Sequence, residues 1–123
     1  MRVLVVDDEA LIRWSVAQTL GDLGIDVVQA DTGRATLAAM ASAESPFDVV
    51  VLDLRLPDVA DLSLLDELRR AYAGTAVVVM TAFGTADVVA HVHAIGVAAV
   101  VAKPFDVHEL ARVVMASAGV GHG

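Results

Sequence analysis

Cysteine is absent from this chain of 123 residues, and aromatic residues make up only 4% of it. The missing thiols exclude disulfide bonds, a thiolate metal site and a cysteine nucleophile. Because bulky rings are scarce, the interior must be built of Ala, Val and Leu, which suits helices packed closely on a buried sheet. Basic residues are also few, since 8 Lys and Arg face 16 acidic residues and the formal net charge is −8. Direct DNA binding is therefore not expected, because it depends on neutralising phosphates.

Long uncharged apolar stretches are missing too, although the mean hydropathy is +0.69. No run of about 18 such residues is present to span a bilayer, so no membrane partner is expected. The N-terminal sequence MRVLVVDDEA lacks the long apolar region of a signal peptide, which favours a cytoplasmic location. The length predicts a single domain at residues 1–118, followed by a flexible tail or linker stub at residues 119–123.

Short valine-rich runs alternate with longer helical patterns along the whole chain. The runs occupy residues 3–6, 27–29, 49–52, 77–80 and 98–101. Continuous apolar runs of this length are typical of strands buried on both faces, as in parallel sheets. Helical periodicity follows each run, giving five βα units. The pattern therefore predicts an α/β fold with a doubly wound, five-stranded parallel sheet.

Specific polar residues stand at the ends of four of the five predicted strands. Asp7 and Asp8 follow the first strand, Asp53 ends the third, Thr81 ends the fourth and Lys103 ends the fifth. Because the ends of parallel strands share one edge of the sheet, we expect these groups to converge. Three crowded carboxylates need a cation, and oxygen ligands favour Mg²⁺. Lys103 and Thr81 would then suit a phosphoryl group beside the metal.

Four segments carry a more specific pattern, namely VVDDE, VVVLDLRLPD, VVMTAFGT and VVAKPF. In order and spacing they resemble the acidic pair, phosphorylation strand, threonine turn and Lys-Pro element of two-component response-regulator receiver domains. The wording DLRLPD and MTAFGT looks most like the nitrogen-regulator class. The resemblance covers essentially the whole chain. It implies a flavodoxin-like (βα)5 fold with strand order 2-1-3-4-5.

The resemblance also implies a role for each acid of the cluster. Asp53 is expected to be the phosphoacceptor. Asp8, Asp53 and the backbone carbonyl of Arg55 are expected to hold Mg²⁺, with Asp7 acting through water. These roles come from the family pattern, whereas the residues themselves indicate only an acidic cation site.

The phosphoryl group is expected to be held by Lys103 and Thr81, as the resemblance implies. Ala82, next to the threonine, leaves room for the group to enter. A cis peptide between Lys103 and Pro104 is a further implication, and X-Pro is the linkage where a cis bond is least costly.

The function that follows is a phosphorylation-dependent signalling switch, not an enzyme beyond self-phosphorylation from phosphodonors and slow self-dephosphorylation. A sensor histidine kinase is the expected partner. The output face implied by the resemblance comprises the fourth helix, fifth strand and fifth helix, and homodimerisation on phosphorylation is expected there. DNA would be reached only through an effector domain outside these 123 residues.

Two positions depart from the family pattern. Asp61 stands where the family usually has glycine. Val100, three residues before the lysine, replaces the usual switch aromatic, for which Phe83 or Phe105 are the candidate substitutes. The coupling of phosphorylation to the output face therefore departs from the family pattern at Val100.

Two alternatives stay open beside this interpretation. A phosphorylation-independent interaction module is favoured slightly by Val100 and Asp61. An aspartate-nucleophile phosphatase of the haloacid dehalogenase type also uses Asp, Thr, Lys and Mg²⁺, but its nucleophile lies on the first strand in a DxD arrangement. Two simpler structural roles are also predicted: Asp58 and Asp61 cap the third helix, and Trp14 is partly buried in the first helix.

Overall fold

The computed structural model describes residues 1–59, 61–82 and 84–120. Strands and helices alternate along it as β1 (Arg2–Val6), α1 (Ala10–Asp22), β2 (Asp26–Ala30), α2 (Gly33–Ser42), β3 (Val49–Asp53), α3 (Ser63–Ala71), β4 (Ala76–Thr81), α4 (Ala86–Ile95), β5 (Ala99–Ala102) and α5 (Val107–Val120). The strands pair in parallel in the order β2-β1-β3-β4-β5. The doubly wound parallel sheet and its strand order are confirmed.

The sheet is buried on both faces because alternate residues of each strand meet a different set of helices. One core cluster joins the sheet to α2, α3 and α4, and includes Leu4, Val6, Val50, Leu52, Met40, Leu65 and Val92. The other joins it to α1 and α5, and includes Val3, Val5, Val49, Val51, Val16, Leu20 and Leu110. A continuous apolar run, without alternating polar residues, is the sequence pattern that indicates burial on both faces.

Helix termini are set by short polar side chains and by glycine. The side chain of Thr32 accepts a hydrogen bond from the Ala35 amide at the start of α2, and Asp106 accepts two at the start of α5. Helix α4 ends at Gly96, whose φ of 105° lies in the left-handed region that favours glycine. These residues therefore mark where helices begin and end, next to the turns that connect them to the strands.

Helix α1 differs from its prediction in which residues it buries. Val16, Ala17 and Leu20 pack on the sheet, whereas Trp14 is 58% exposed and Leu11 is 75% exposed. The prediction that Trp14 is partly buried is wrong, because it lies outside the stripe that the sheet covers. The three described histidines, His91, His93 and His108, are exposed.

The C-terminal helix runs to Val120, two residues past the predicted domain end, and residues 121–123 lie outside the described residues. The flexible tail therefore stays a prediction. Among the helices that the structure describes, none has the length and apolar character needed to cross a bilayer.

Candidate functional site

Three carboxylates meet at the carboxyl-terminal edge of the sheet. β1 and β3 are neighbours, and Val6 is paired with Leu52, so the residues that follow them, Asp7 and Asp53, come side by side. Asp7, Asp8 and Asp53 each present an oxygen, and these three oxygens lie within 4.8 Å of one another. Parallel pairing thus brings together acids that are more than forty positions apart in the sequence.

Lys103, the only lysine in the chain, closes this cluster from the end of β5. Its Nζ lies 2.8 Å from Asp7 Oδ2 and 3.3 Å from Asp53 Oδ2. Its amide donates to the Thr81 carbonyl at 2.8 Å, and the Lys103–Pro104 peptide is cis, as expected. Glu9 Oε1 lies 3.9 Å from the same ammonium, a neighbour to which sequence reasoning gave no role.

Burial and charge act against each other in this cluster. Burial, with the nearby Asp7 charge, raises the pKa of Asp53 above its usual value, although the Arg55 amide and Lys103 act to lower it. Burial alone would lower the pKa of Lys103, but its hydrogen bond to Asp7 and the charge of Asp53 outweigh burial and raise that pKa. One ammonium therefore pairs with two buried carboxylates. The negative charge that remains in the cluster can be compensated by a second cation.

An open cleft of about 440 Å³ exposes part of this cluster. It is lined by Asp8, Glu9, Asp53, Arg55, Leu56, Pro57, Ala82 and Lys103. Five of the predicted site residues thus share one cavity. Asp7 is fully buried, and Thr81 is only 8% exposed at the end of β4 and is not among the lining residues.

The loop between β3 and α3 begins directly after Asp53, the last residue of β3. The Arg55 amide donates to Asp53 Oδ1 at 3.0 Å, which holds the start of the loop against the end of β3. Further along, Asp58 accepts hydrogen bonds from the amides of Gly33 at 2.7 Å and Arg34 at 2.9 Å. The prediction that Asp58 caps α3 is wrong: the loop folds back so that this carboxylate caps α2 instead.

The prediction for Asp61 is confirmed, because its carboxylate accepts from the Ser63 amide at 2.9 Å at the start of α3. The proposed aromatic substitutes have different outcomes. Phe105 packs with the α1–α5 core cluster, whereas Val100 packs with the cluster on the α3–α4 side. Phe105 therefore does not fill the place of the missing aromatic, and Phe83 lies outside the described residues.

The fold and the site together define a class of protein, namely doubly wound α/β domains with an acidic cluster at the carboxyl edge of the parallel sheet. A family model for the response regulator receiver domain matches residues 3–115. The chain belongs to the response regulator receiver domain family, whose members act in two-component signalling.

The relatives agree with the nitrogen-regulator resemblance. The chain is 33% identical over 112 residues to the DNA-binding transcriptional regulator NtrC of Salmonella typhimurium, covering 91% of this chain and 24% of that protein. It is 35% identical over 119 residues to the transcriptional regulatory protein FixJ of Azorhizobium caulinodans, covering 95% of this chain and 54% of that one. The chain thus spans about a quarter and about half of these two relatives.

The fold is shared with a CheY-like response regulator receiver domain protein from Methanospirillum hungatei, at a TM-score of 0.89 and 24% identity, covering 98% of this chain and 94% of that one. Receiver domains bind Mg²⁺ at a cluster of acidic residues, and the carboxylates of Asp7, Asp8 and Asp53 provide such a cluster here. The donor set fits the ion, because Mg²⁺ takes hard oxygen ligands and retains several waters, for which the open cleft leaves space.

Proposed function

We propose that this chain is a phosphorylation-controlled switch in which Asp53 accepts a phosphoryl group from a partner histidine kinase in the presence of Mg²⁺. The observation that carries the proposal is the convergence of three carboxylates and the only lysine on one strand edge, with Asp53 facing an open cleft. In the proposed site Asp8, Asp53 and the Arg55 carbonyl hold the ion, and Asp7 acts through water. When bound, Mg²⁺ would neutralise charge on the transferred phosphoryl oxygens.

The chemistry assigned to the protein is mainly positioning and charge compensation. A carboxylate oxygen of Asp53 forms a bond to phosphorus while the donor's P–N bond breaks, and the departing imidazole takes up a proton. Lys103 then exchanges its contact with Asp53 for one with a phosphoryl oxygen, while Asp7 holds the ammonium in place. Ala82 keeps the cleft open for the entering group, and Thr81 supplies a hydroxyl to it.

We expect Thr81 to shift towards the cleft for its hydroxyl to reach a phosphoryl oxygen, because it is only 8% exposed and is not among the residues that line the cleft. In the proposed switch this displacement is the first step. It would disturb the end of β4, whose Thr81 carbonyl accepts from the Lys103 amide. Phosphorylation would thereby favour one of two populations through contacts that only the modified state makes.

A partner that delivers a phosphohistidine has to cover the surface around the cleft. A second cleft of about 650 Å³ adjoins the site between α1 and the start of α5, and shares Glu9, Ala82 and Lys103 with it. Leu11 lines this second cleft, and Trp14 is exposed on the same helix. Exposed apolar side chains beside the acceptor suit a protein donor better than small phosphodonors alone.

The test is phosphorylation by acetyl phosphate with Mg²⁺, followed by intact mass spectrometry. The wild type is expected to gain the mass of one phosphoryl group, and Asp53→Asn is expected to gain none. Asp22→Asn, which removes an equal charge from the exposed end of α1, is the matched control and should label like the wild type. Equal labelling of Asp53→Asn and the wild type would contradict the assignment.

The alternative of a phosphorylation-independent interaction module rests on the two departures from the family pattern, Asp61 and Val100, of which Val100 bears on the switch. Val100 is partly buried against the α3–α4 core cluster. Because its side chain has no ring, it cannot couple to Thr81 as the switch aromatic of the family does. The same labelling experiment separates the two functions, because a module that no longer uses phosphate would not gain mass. Slow loss of the label in buffer would support self-dephosphorylation as the only hydrolytic activity.

The proposed output is dimerisation through the face formed by α4, β5 and α5, as in the expectation drawn from the family pattern. Sedimentation velocity with and without beryllofluoride measures it directly. A mass that stays monomeric in both states would rule out dimerisation as the switch.

In the cell we propose a cytoplasmic receiver that controls a transcriptional effector domain. The support is the match to one part of longer transcriptional regulators such as NtrC. DNA contact would belong to that effector domain, since this chain carries a net charge of −8. The full reading frame would decide whether such a domain follows.

A further inference from the structure

We infer that Asp58 is a positioning residue for the metal site: by capping α2 it fixes the loop that presents the Arg55 carbonyl beside Asp53. This inference rests on the proposed function, because it assigns a support to the proposed Mg²⁺ ligands. The Asp58 carboxylate accepts from α2 amides and is not among the residues that line the cleft, so its effect would be indirect.

The first support is the completeness of the α2 cap. Asp58 Oδ1 accepts from the Gly33 amide at 2.7 Å, and its Oδ2 accepts from the Arg34 amide at 2.9 Å. The third amide, that of Ala35, donates to the Thr32 hydroxyl at 2.9 Å. Because the first amides of a helix have no partner within it, a carboxylate placed here is held by two hydrogen bonds and by the helix dipole.

The second support is the close fit between the loop and the start of α2. Gly33 is buried, and a Cβ at this position would collide with the side chain of Val59 and come within 3.3 Å of Asp58 Oδ1. Glycine is therefore needed for the loop to approach closely enough to form the cap. Two independent contacts, one polar and one steric, thus specify the same position for the loop.

The third support is the short path from Asp58 to the site. The Val59 amide donates to the Leu56 carbonyl at 3.3 Å, closing a tight turn with Pro57 and Asp58 at its tip. Leu56 and Pro57 line the same cleft as Asp53. At the other end of the segment the Arg55 amide donates to Asp53 Oδ1 at 3.0 Å. The predicted carbonyl ligand therefore lies between two fixed points, and Asp58 supplies one of them.

The test compares Mg²⁺ dissociation constants by titration calorimetry. Asp58→Ala is expected to bind Mg²⁺ about 10-fold more weakly than the wild type, as for loss of other groups that orient a ligand. Asp58→Asn, which keeps one acceptor oxygen, should fall between them. Asp61→Asn is the matched control: it removes the same charge from the same loop, and Asp61 also caps a helix. An affinity of Asp58→Ala equal to the wild type, or an equal loss in Asp61→Asn, would overturn the inference.

A second variant reaches the same loop without altering the carboxylate. Gly33→Ala should displace Val59 and Asp58 together, and should weaken Mg²⁺ binding while leaving every acid in place. Circular dichroism at the temperature of the titration establishes that each variant is folded. If Gly33→Ala is folded and binds Mg²⁺ like the wild type, the loop contact has no positioning role.

A kinetic measurement separates positioning from general loss of stability. Labelling by acetyl phosphate should be slow in Asp58→Ala at low Mg²⁺ and should recover towards the wild-type rate when Mg²⁺ saturates. A defect that persists at saturating Mg²⁺ would contradict a role exerted through the metal.

Failure of the proposed function would look different. In that case the wild type itself would bind no Mg²⁺. The loop contact is then tested alone by amide hydrogen exchange without metal: faster exchange at residues 33, 34 and 55–59 in Asp58→Ala is expected, and unchanged exchange would overturn the contact.

Discussion

The strand that carries Asp53 is more deeply buried than the face formed by α4 and β5. All five residues of β3 are buried, and α3 beside it buries three leucines. β5 has four residues, none of them in the buried class, and α4 buries only Val92. The same sheet therefore has a rigid centre, where the proposed chemistry takes place, and a looser border.

This difference decides which region can move at low free-energy cost. Burying a Val or Leu side chain fully contributes about 1.5–3 kcal/mol, so displacing β3 would sacrifice several such contributions at once. Displacing α4 would expose one fully buried residue, Val92, and the partly buried Val88 and Ile95, which is less than β3 buries. A phosphoryl group on Asp53, as proposed, would thus lie in the well-packed centre of the sheet, and the less buried β5 is separated from β3 by one strand, β4.

The largest effect is expected where the rigid centre depends on a single charge. Lys103→Met removes the only ammonium that faces two buried carboxylates, Asp7 and Asp53. Removing one partner of a buried ion pair costs about 3–5 kcal/mol, because the other charge is left buried and unpaired. The free energy of unfolding without metal should therefore fall by roughly this amount. Urea denaturation measures it, and added Mg²⁺ should restore part of the loss because the ion replaces the missing charge.

The control for this prediction is Arg112→Met, which removes a cation from the exposed side of α5 and should change stability by less than about 0.5 kcal/mol. If Lys103→Met were as stable as this control without Mg²⁺, the ammonium would not be what holds the two carboxylates together.

A smaller effect should appear in the unmodified protein as a gradient of amide hydrogen exchange. Amides of β3 are expected to exchange only through global unfolding, whereas those of α4 and β5 should open at a free energy lower by about 2 kcal/mol or more. Native-state exchange followed by NMR at increasing urea gives both values. Equal opening free energies would mean that the two regions belong to one cooperative unit and that the contrast in burial has no dynamic consequence.

The fold could be predicted from sequence because every strand contains a short valine-rich run, and specific polar residues stand at the ends of four of the five. The predicted run 27–29, for example, lies within Asp26–Ala30, and the run 77–80 lies within Ala76–Thr81. The convergence of Asp7, Asp53 and Lys103 followed from parallel pairing alone, since strand ends share an edge. These features depend on periodicity and topology, which a single sequence expresses directly.

Contacts between distant segments were not predictable in the same way. A carboxylate near two helix starts can cap either, and only the path of the loop sends Asp58 to α2 and leaves Asp61 to α3. Trp14 has helical spacing compatible with burial, yet the sheet covers a different stripe of α1. The position of Thr81 outside the cleft is likewise a property of the conformation, which a motif does not record.

The smallest expected effect concerns pH and the exposed Asp58 carboxylate that caps α2. Hydrogen bonds from the Gly33 and Arg34 amides lower the pKa of Asp58 below its ordinary value of 3.8. A pKa that is lower in the folded than in the unfolded chain gives stability that is fully present above the unfolded pKa and is lost as the pH falls through the folded pKa.

The thermal midpoint of Asp58→Asn should therefore lie below that of the wild type at pH 7, and the difference between the two midpoints should shrink below about pH 4. Asp106, whose pKa the His108 and Glu109 amides lower in the same manner, provides a second case through Asp106→Asn. A gap for Asp58→Asn that stays constant from pH 7 to pH 3 would show that the ionised carboxylate is not what the α2 amides bind.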